Sequence, residues 1–323
     1  MKTSRIWQTA AAALCGLVLL SSCASEGAPQ DDAAPASGLE TIRVGVLRSV
    51  ADAPFVLGDE NGIFEKHGLD IELEKFNGGA AMVPAALSGS IDIGDGNLLS
   101  VAIGAEQNVP VQVLTSSFIV DSDPTADMSS IVASTDSSIE SAADLAGKTV
   151  AINALASISE LAVRDAVEAA GADPESVQFV EIAFPEIPAA VETGNVDAGF
   201  LVTPFLELNA DKLKPIAHPY SELYAGEAVG GYFAASGWLA EHPQTAEKFI
   251  AAMAEAAEYT NAHTDEARAS LPGYLDLPEA VVSEMPIPVF GGGLVEMPKI
   301  AGSAKRYGIL TDGPDYSTLY WKG

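Results

Sequence analysis

The run TIRVGVLRSVADAPFVLGDENGIFEKHGLDIELEKF, residues 41–76, is where the fold is decided. Its apolar, β-branched start predicts a strand over 41–47. Residues 54–66 have helical character and close at Gly68, and 69–76 alternate as a second strand. Two strands in the same sense need a crossover between them, and a helix is the usual one. The alternation continues outward. Gly78-Gly79 opens a helix over 80–88, 91–94 reads as a short strand, 97–107 as a helix and 111–120 as a strand. No repeat of solenoid length is visible, so the pattern predicts one α/β fold with parallel strands.

A second unit of the same kind follows. Strands are predicted over 129–133, 149–153, 177–182 and 198–202, with helices over 139–145, 157–171 and 187–193 between them. Ser157 and Glu160 have the spacing of a capping box, in which each side chain satisfies a free backbone donor at a helix start. Residues 232–236 read as a strand before a long helix over 242–262, and 271–323 are Pro- and Gly-rich with two short helices.

The N-terminus has a different character. Lys2 and Arg5 precede an apolar stretch, 6–20, which ends at Ser21-Ser22-Cys23. The stretch is too short for a membrane span, which takes about 20 apolar residues, and it has the layout of a secretory signal. Leu20-Ser21-Ser22-Cys23 matches a lipobox, which makes 1–22 a signal peptide and Cys23 the lipidated first residue of the mature chain. Residues 24–38 are mostly Ala, Ser, Pro, Gly and Asp, a composition too polar to join a core, so 23–39 is read as a flexible tether. The expected location is the outer face of the cytoplasmic membrane or the periplasmic side.

Composition excludes several function classes. The chain has two cysteines, and Cys15 lies within the signal. The mature protein then has no disulfide, thiol nucleophile or thiolate metal site. A net charge of −29 argues against nucleic acid, whose phosphates need Lys and Arg. It does not imply a cationic solute, because bulk charge governs solubility rather than pocket chemistry. His67, His218, His242 and His263 are dispersed, with no ligand-like spacing. No metal or cofactor is expected.

Several motifs stand in a familiar order. They are Ala53-Pro54-Phe55, then the run from Asn61-Gly62-Ile63-Phe64 to Gly68-Leu69-Asp70, Gly89-Ser90-Ile91-Asp92-Ile93-Gly94, Leu145-Ala146-Gly147-Lys148-Thr149-Val150, and Gly194-Asn195-Val196-Asp197-Ala198. Behind a lipobox, this order resembles the ABC-importer solute-binding proteins of the alkanesulfonate, taurine, nitrate and pyrimidine-precursor branch. The resemblance covers essentially the whole mature chain. It implies a type 2 periplasmic-binding-protein fold, with two lobes of mixed sheets flanked by helices and two hinge crossings, near 120–127 and 220–229. Lobe one is then 40–122 with 226–323, and lobe two is 123–225. It also implies a monomer that captures a small solute (sulfonate, nitrate, pyrimidine-like or related) and hands it to a permease and its ATPase. Related branches include cytosolic pyrimidine and menaquinone-pathway enzymes, but the pyrimidine-forming ones need a Cys-rich segment absent here. A sensor lipoprotein is the remaining alternative.

Ligands in open α/β sheets sit beyond the carboxyl ends of strands and at helix N-termini. That rule selects Ser49, Asp52, Ala53 and Pro54 after the first strand, then Gly78 and Gly79, and Asp95, Gly96 and Asn97. Ser116 and Ser117 lie toward the hinge. Ser157, Ser159, Thr203 and Phe205 are expected across the cleft, and Tyr232 at the return crossing. Each has a structural alternative: Ser157 and Asn97 as caps, the glycines as turns, the aromatics as lobe core. Asp52 and Asp95 carry the most information, since carboxylates disfavour a bare anion unless Arg48 reverses the balance.

Overall fold

The computed structural model describes residues 38–76 and 81–323. The signal, lipobox and tether readings, Cys23 among them, lie outside the described residues, as do Gly78 and Gly79. The strands are β1 (Glu40–Val46), β2 (Leu69–Lys75), β3 (Ile93–Asn97), β4 (Val111–Ile119), β5 (Ser129–Ser134) and β6 (Thr149–Ile152). They continue as β7 (Gln178–Glu181), β8 (Ala198–Val202), β9 (Leu213–Ala217), β10 (Ala228–Ala235) and β11 (Val289–Phe290).

They form two mixed sheets of matching design. The first runs β2-β1-β3-β10-β4-β11 and the second β7-β6-β8-β5-β9. In the first, β1 is parallel to β2 and β3, while β10 runs antiparallel between β3 and β4. In the second, β6 is parallel to β7 and β8, and β5 runs antiparallel between β8 and β9. In each sheet the first strand after the chain has changed sheets, β5 or β10, is a reversed one. The chain changes sheets at 120–128 and 218–227, and these segments bond to each other. Val120 N–H donates to the Glu227 carbonyl and Gly226 N–H to the Val120 carbonyl, both at 2.9 Å. Asp127 accepts from Ser129 N–H at 2.8 Å and from Ser221 N–H at 2.7 Å, so one buried carboxylate ties the two crossings.

The turn motifs earn their repetition. Asp92 accepts from the backbone N–H of Arg43 at 2.9 Å and from its guanidinium at 2.8 Å, which joins the entry of β3 to β1. Asp197 does the same one sheet over, accepting from Thr149 N–H at 2.8 Å, with Lys148 3.6 Å away. Each Asp sets the register of a parallel pair at the turn where a helix becomes a strand. Gly62, Gly68, Gly89 and Gly194 have positive φ, as helix-ending turns require.

The structure departs from the sequence expectation in several places, and β11 and the helix Pro219–Leu223 are among the elements not predicted. Strand β9 was not predicted; it lies at a sheet edge, where Pro215 withholds a donor that the ladder does not need. Strand β10 begins at Ala228 rather than 232, because Gly230 and Gly231 belong to it. An added Cβ would meet Ser117 Oγ at 2.3 Å on the first and Leu98 Cδ2 at 2.4 Å on the second, so bare backbone is required there. A helix at Thr264–Leu275 runs into the segment read as Pro- and Gly-rich. Finally, Ser157 does not complete a capping box. Its hydroxyl donates to the Ala154 carbonyl at 2.6 Å, and Glu160 instead accepts from Ala156 N–H at 2.8 Å.

The first sheet is closed on one side by the helix Pro243–Ala262, whose Phe249, Met253 and Ala256 bury against Ile42, Val44, Ile93 and Tyr232. The Asp92 clamp yields a direct prediction. Asp92→Ala leaves a β-strand N–H and a half-buried guanidinium without their acceptor, and should lower the unfolding free energy by about 1–3 kcal/mol, read as a shift in urea midpoint. Asp197→Ala should have a smaller effect, because its cation partner is more exposed.

Candidate ligand-binding site

The backbone turns sharply where β1 ends. Arg48 sits at φ 54, and Ser49 starts a short 3-10 turn, Val50–Asp52. Ser49 Oγ accepts from Ala51 N–H at 3.2 Å, while Asp52 accepts from Ser49 N–H at 2.7 Å. A capping box therefore stands here, and it fixes Asp52 pointing back over the end of β1. Tyr274, from the helix Thr264–Leu275, donates its hydroxyl to the same Asp52 oxygen at 3.0 Å. Asp52 is fully buried, and its second oxygen, Oδ1, has no hydrogen-bond partner. Arg48 is committed elsewhere: its guanidinium donates to the Tyr274 carbonyl and lies 5.2 Å from the Tyr274 ring centroid.

Three further strands bring their own groups. Asp95 on β3 lies opposite Tyr232 on β10, which lies opposite Thr115 on β4. The Tyr232 ring is core, held edge-on between Phe55 at 5.5 Å and Phe249 at 5.6 Å, yet its hydroxyl is buried without a partner. Ser117 Oγ also has none by geometry, although it lies close enough to Asp95 to favour its charged form. Burial pushes the Asp95 carboxyl well above its ordinary range, and repulsion from Asp52 adds to the shift. Burial lifts Asp52 to about 6, against the lowering pull of Ser49, Tyr274 and Arg48. The Tyr232 and Tyr274 hydroxyls are pushed up in turn, by burial first and then by these two carboxyls. Asp52, Asp95, Tyr232 and Tyr274 are thus one electrostatic unit.

The other expected residues have visible structural duties. Ala53 and Pro54 are buried at the start of the helix Ala53–Glu60, with Ala53 in the cluster of Val50, Leu57 and Leu271. Gly96 lacks a side chain because a Cβ would meet Phe233 at 2.9 Å. Asn97 caps the helix Leu98–Glu106, accepting from Ser100 N–H at 3.2 Å. Ser116 accepts from Val295 N–H at 3.0 Å.

At the carboxyl ends of β6 and β8 in the second sheet stand the residues expected across the cleft. Ser157 and Ser159 are buried, and Ser159 donates to Asn153 at 2.6 Å. Thr203 donates to Glu207 at 3.0 Å, and Phe205 stacks on Phe184 with centroids 6.1 Å apart. Glu207 has one buried oxygen with no partner, and burial raises its carboxyl above the ordinary range. Sequence reasoning missed Glu207 and Tyr274. Glu207 follows the predicted strand 198–202 closely enough for the strand-end rule to have reached it; Tyr274 meets Asp52 from 222 residues away, and no local pattern signals that.

Two mixed sheets, joined by paired crossings and carrying unsatisfied buried polar atoms at their carboxyl ends, define the two-lobed periplasmic-binding fold. The chain belongs to the NMT1/THI5-like family, whose profile matches residues 50–267. It is 28% identical over 166 residues to the taurine-binding periplasmic protein of Escherichia coli K12, an alignment covering 51% of this chain and 49% of that one. It is 26% identical over 187 residues to the formylaminopyrimidine-binding protein of Halalkalibacterium halodurans, covering 57% and 53%. The chain thus spans about half the length of these curated relatives. The crystal structure of the periplasmic aliphatic sulphonate binding protein SsuA from Escherichia coli superposes with a TM-score of 0.69 at 20% identity, covering 88% of this chain and 92% of that one, a likeness of fold.

The raised Asp52 carboxyl makes a pH prediction. Between about pH 4 and 6 the folded protein holds a proton that the unfolded chain has released, so this group lowers stability as pH rises through that window. Asp52→Asn keeps an acceptor for Ser49 and removes the buried charge. The variant should match the wild type near pH 4 and exceed it by up to roughly 3 kcal/mol at pH 7.5, in urea unfolding. A variant less stable than the wild type at pH 7.5 would contradict the burial argument.

Proposed function

We propose that this chain is the solute-binding component of an ABC importer, which closes two lobes over a small solute and delivers it to a permease and its ATPase. The observation that carries the reading is the buried cluster of Asp52, Asp95, Ser117 and Tyr232 at the carboxyl ends of the first sheet's strands, with hydrogen-bonding capacity the protein itself leaves unused. That is the ligand locus of open α/β sheets, and buried polar atoms are otherwise nearly always satisfied. The relatives named for taurine and formylaminopyrimidine binding support a small organic solute. Lobe one comprises 40–122 with 226–323 and lobe two 123–225, and the ligand closes them by contacts made only in the shut form. Ser157, Ser159, Thr203 and Phe205 are the second lobe's share of the site.

Binding without turnover is supported by the names of these relatives and by the lack of any cysteine other than Cys15 and Cys23, and a monomer is part of the same proposal. The lipobox supports export and lipid anchoring at Cys23, which with the tether would hold the domain near its permease at high local concentration.

A thermal-shift screen with sulfonates, nitrate, pyrimidines, amines and amino acids tests the binding reading. A true ligand raises the midpoint by mass action; if no solute does and a turnover assay succeeds, the protein is an enzyme. Anchoring is tested by detergent phase partitioning after expression in a bacterial host. The wild type should enter the detergent phase and Cys23→Ala the aqueous phase; equal partitioning would remove the lipid.

A further inference from the structure

The solutes named for this chain's relatives include taurine and a sulphonate, yet its own site holds two buried carboxyls. We propose, resting on the solute-binding reading above, that the solute engages the first lobe through a cationic N–H donor, an ammonium or amidinium group, seated between Asp52 and Asp95.

The atoms left without partners support that chemistry. Asp52 Oδ1 only accepts when ionised, and Asp52 is 0% exposed. Asp95 is 8% exposed, and its carboxyl is opposed by nothing more than the Ser117 hydroxyl. The Tyr232 hydroxyl, within the field of both carboxyls, and Ser117 Oγ are buried there without partners too. An oxyanion placed here would meet two buried carboxyls that already repel each other. The nearby Arg48 guanidinium is already engaged with the carbonyl and ring of Tyr274 and does not offset that repulsion. A cation reverses each term: it neutralises the pair and fills acceptors that are already desolvated. In the second sheet, Glu207 presents another buried, unpartnered carboxylate oxygen at the end of β8.

The groups facing the pair are Arg48 and Tyr274 on Asp52, Tyr232 on both, and Ser117 on Asp95. Arg48 is the one cation among them, so a proton is the pair's other means of relieving repulsion. An arriving cation displaces that proton, and binding should therefore weaken as pH falls through about 6.

The test uses full-length protein in detergent and probes matched in carbon skeleton: benzamidine against benzenesulfonate, and propylamine against propane-1-sulfonate. All are compared with sodium chloride at equal ionic strength, since a chain of charge −29 attracts any cation. At pH 7.5 and a concentration about tenfold above Kd, the amidine or amine should raise the unfolding midpoint by about 2–3 °C, and the sulfonates should not. The shift should shrink at least threefold at pH 5. Asp95→Asn should abolish it, while Glu72→Gln and Glu74→Gln, which alter exposed carboxylates on β2, should retain it. If Asp95→Asn fails to fold by circular dichroism, Asp52→Asn reads the same loss. A sulfonate-induced shift, a cation shift that survives loss of either carboxylate, or no shift from either cation at 50 mM overturns the proposal. The binding reading then still stands if some solute in the wider screen stabilises the protein, and falls if none does.

Discussion

The rest of the molecule depends on where β10 has to lie. It returns from the second sheet and inserts antiparallel between β3 and β4, so the first sheet is incomplete until the chain has built the second and crossed back. Two glycines make this insertion sterically feasible, with Ser117 and Leu98 occupying the space their side chains would need. The second sheet is built by the same rule, with β5 delivered across the first crossing. Each sheet thus owes its central reversed strand to a crossing, and the crossings are bonded to each other through Val120, Gly226 and Asp127. The two sheets are therefore joined by a hydrogen-bonded pair of segments, and an apolar cluster shared by both, with Arg306 bonded to Asp165 and Glu168, adds to that junction.

The same insertion creates the site. Tyr232 reaches Asp95 only because β10 is registered against β3, and its ring is held by Phe55 and Phe249 on either side. Two carboxyls, a phenol and a serine hydroxyl are thereby enclosed in a low dielectric, where unsatisfied hydrogen-bonding capacity is most costly. Structural carboxylates elsewhere in this protein are treated differently. Asp92, Asp127 and Asp197 each accept from a backbone N–H and a second donor or cation. Asp52 accepts from the Ser49 N–H and the Tyr274 hydroxyl yet leaves its second oxygen buried without a partner, and buried Asp95 has only the Ser117 hydroxyl beside it.

Much of this was legible along the chain. Alternating strands and helices, the paired Gly-x-x-Asp turns and the strand-end rule located both sheets and put Ser49, Asp52, Asp95, Ser117 and Tyr232 on one short list. Errors fell where local signals are weak: a Pro-bearing edge strand, a strand that begins with paired glycines, and a helix around Pro272. Cap chemistry was ambiguous for a physical reason. A serine near a helix start can bond forward to a backbone N–H, as Ser49 does, or backward to a carbonyl, as Ser157 does, and the choice depends on turn geometry beyond its neighbours.

By itself the sequence determined the α/β class and the repeat of one turn motif in two units, because periodicity and turn chemistry are properties of neighbouring residues. Only the tertiary structure decided which candidates meet. It assigned Ala53, Gly96 and Asn97 to packing and capping, turned Arg48 toward Tyr274, and closed Tyr274 onto Asp52 across 222 positions. The protonation of the buried pair was decided there too, since a carboxyl's affinity for its proton depends on what encloses it, and that enclosure is assembled from segments far apart in the chain.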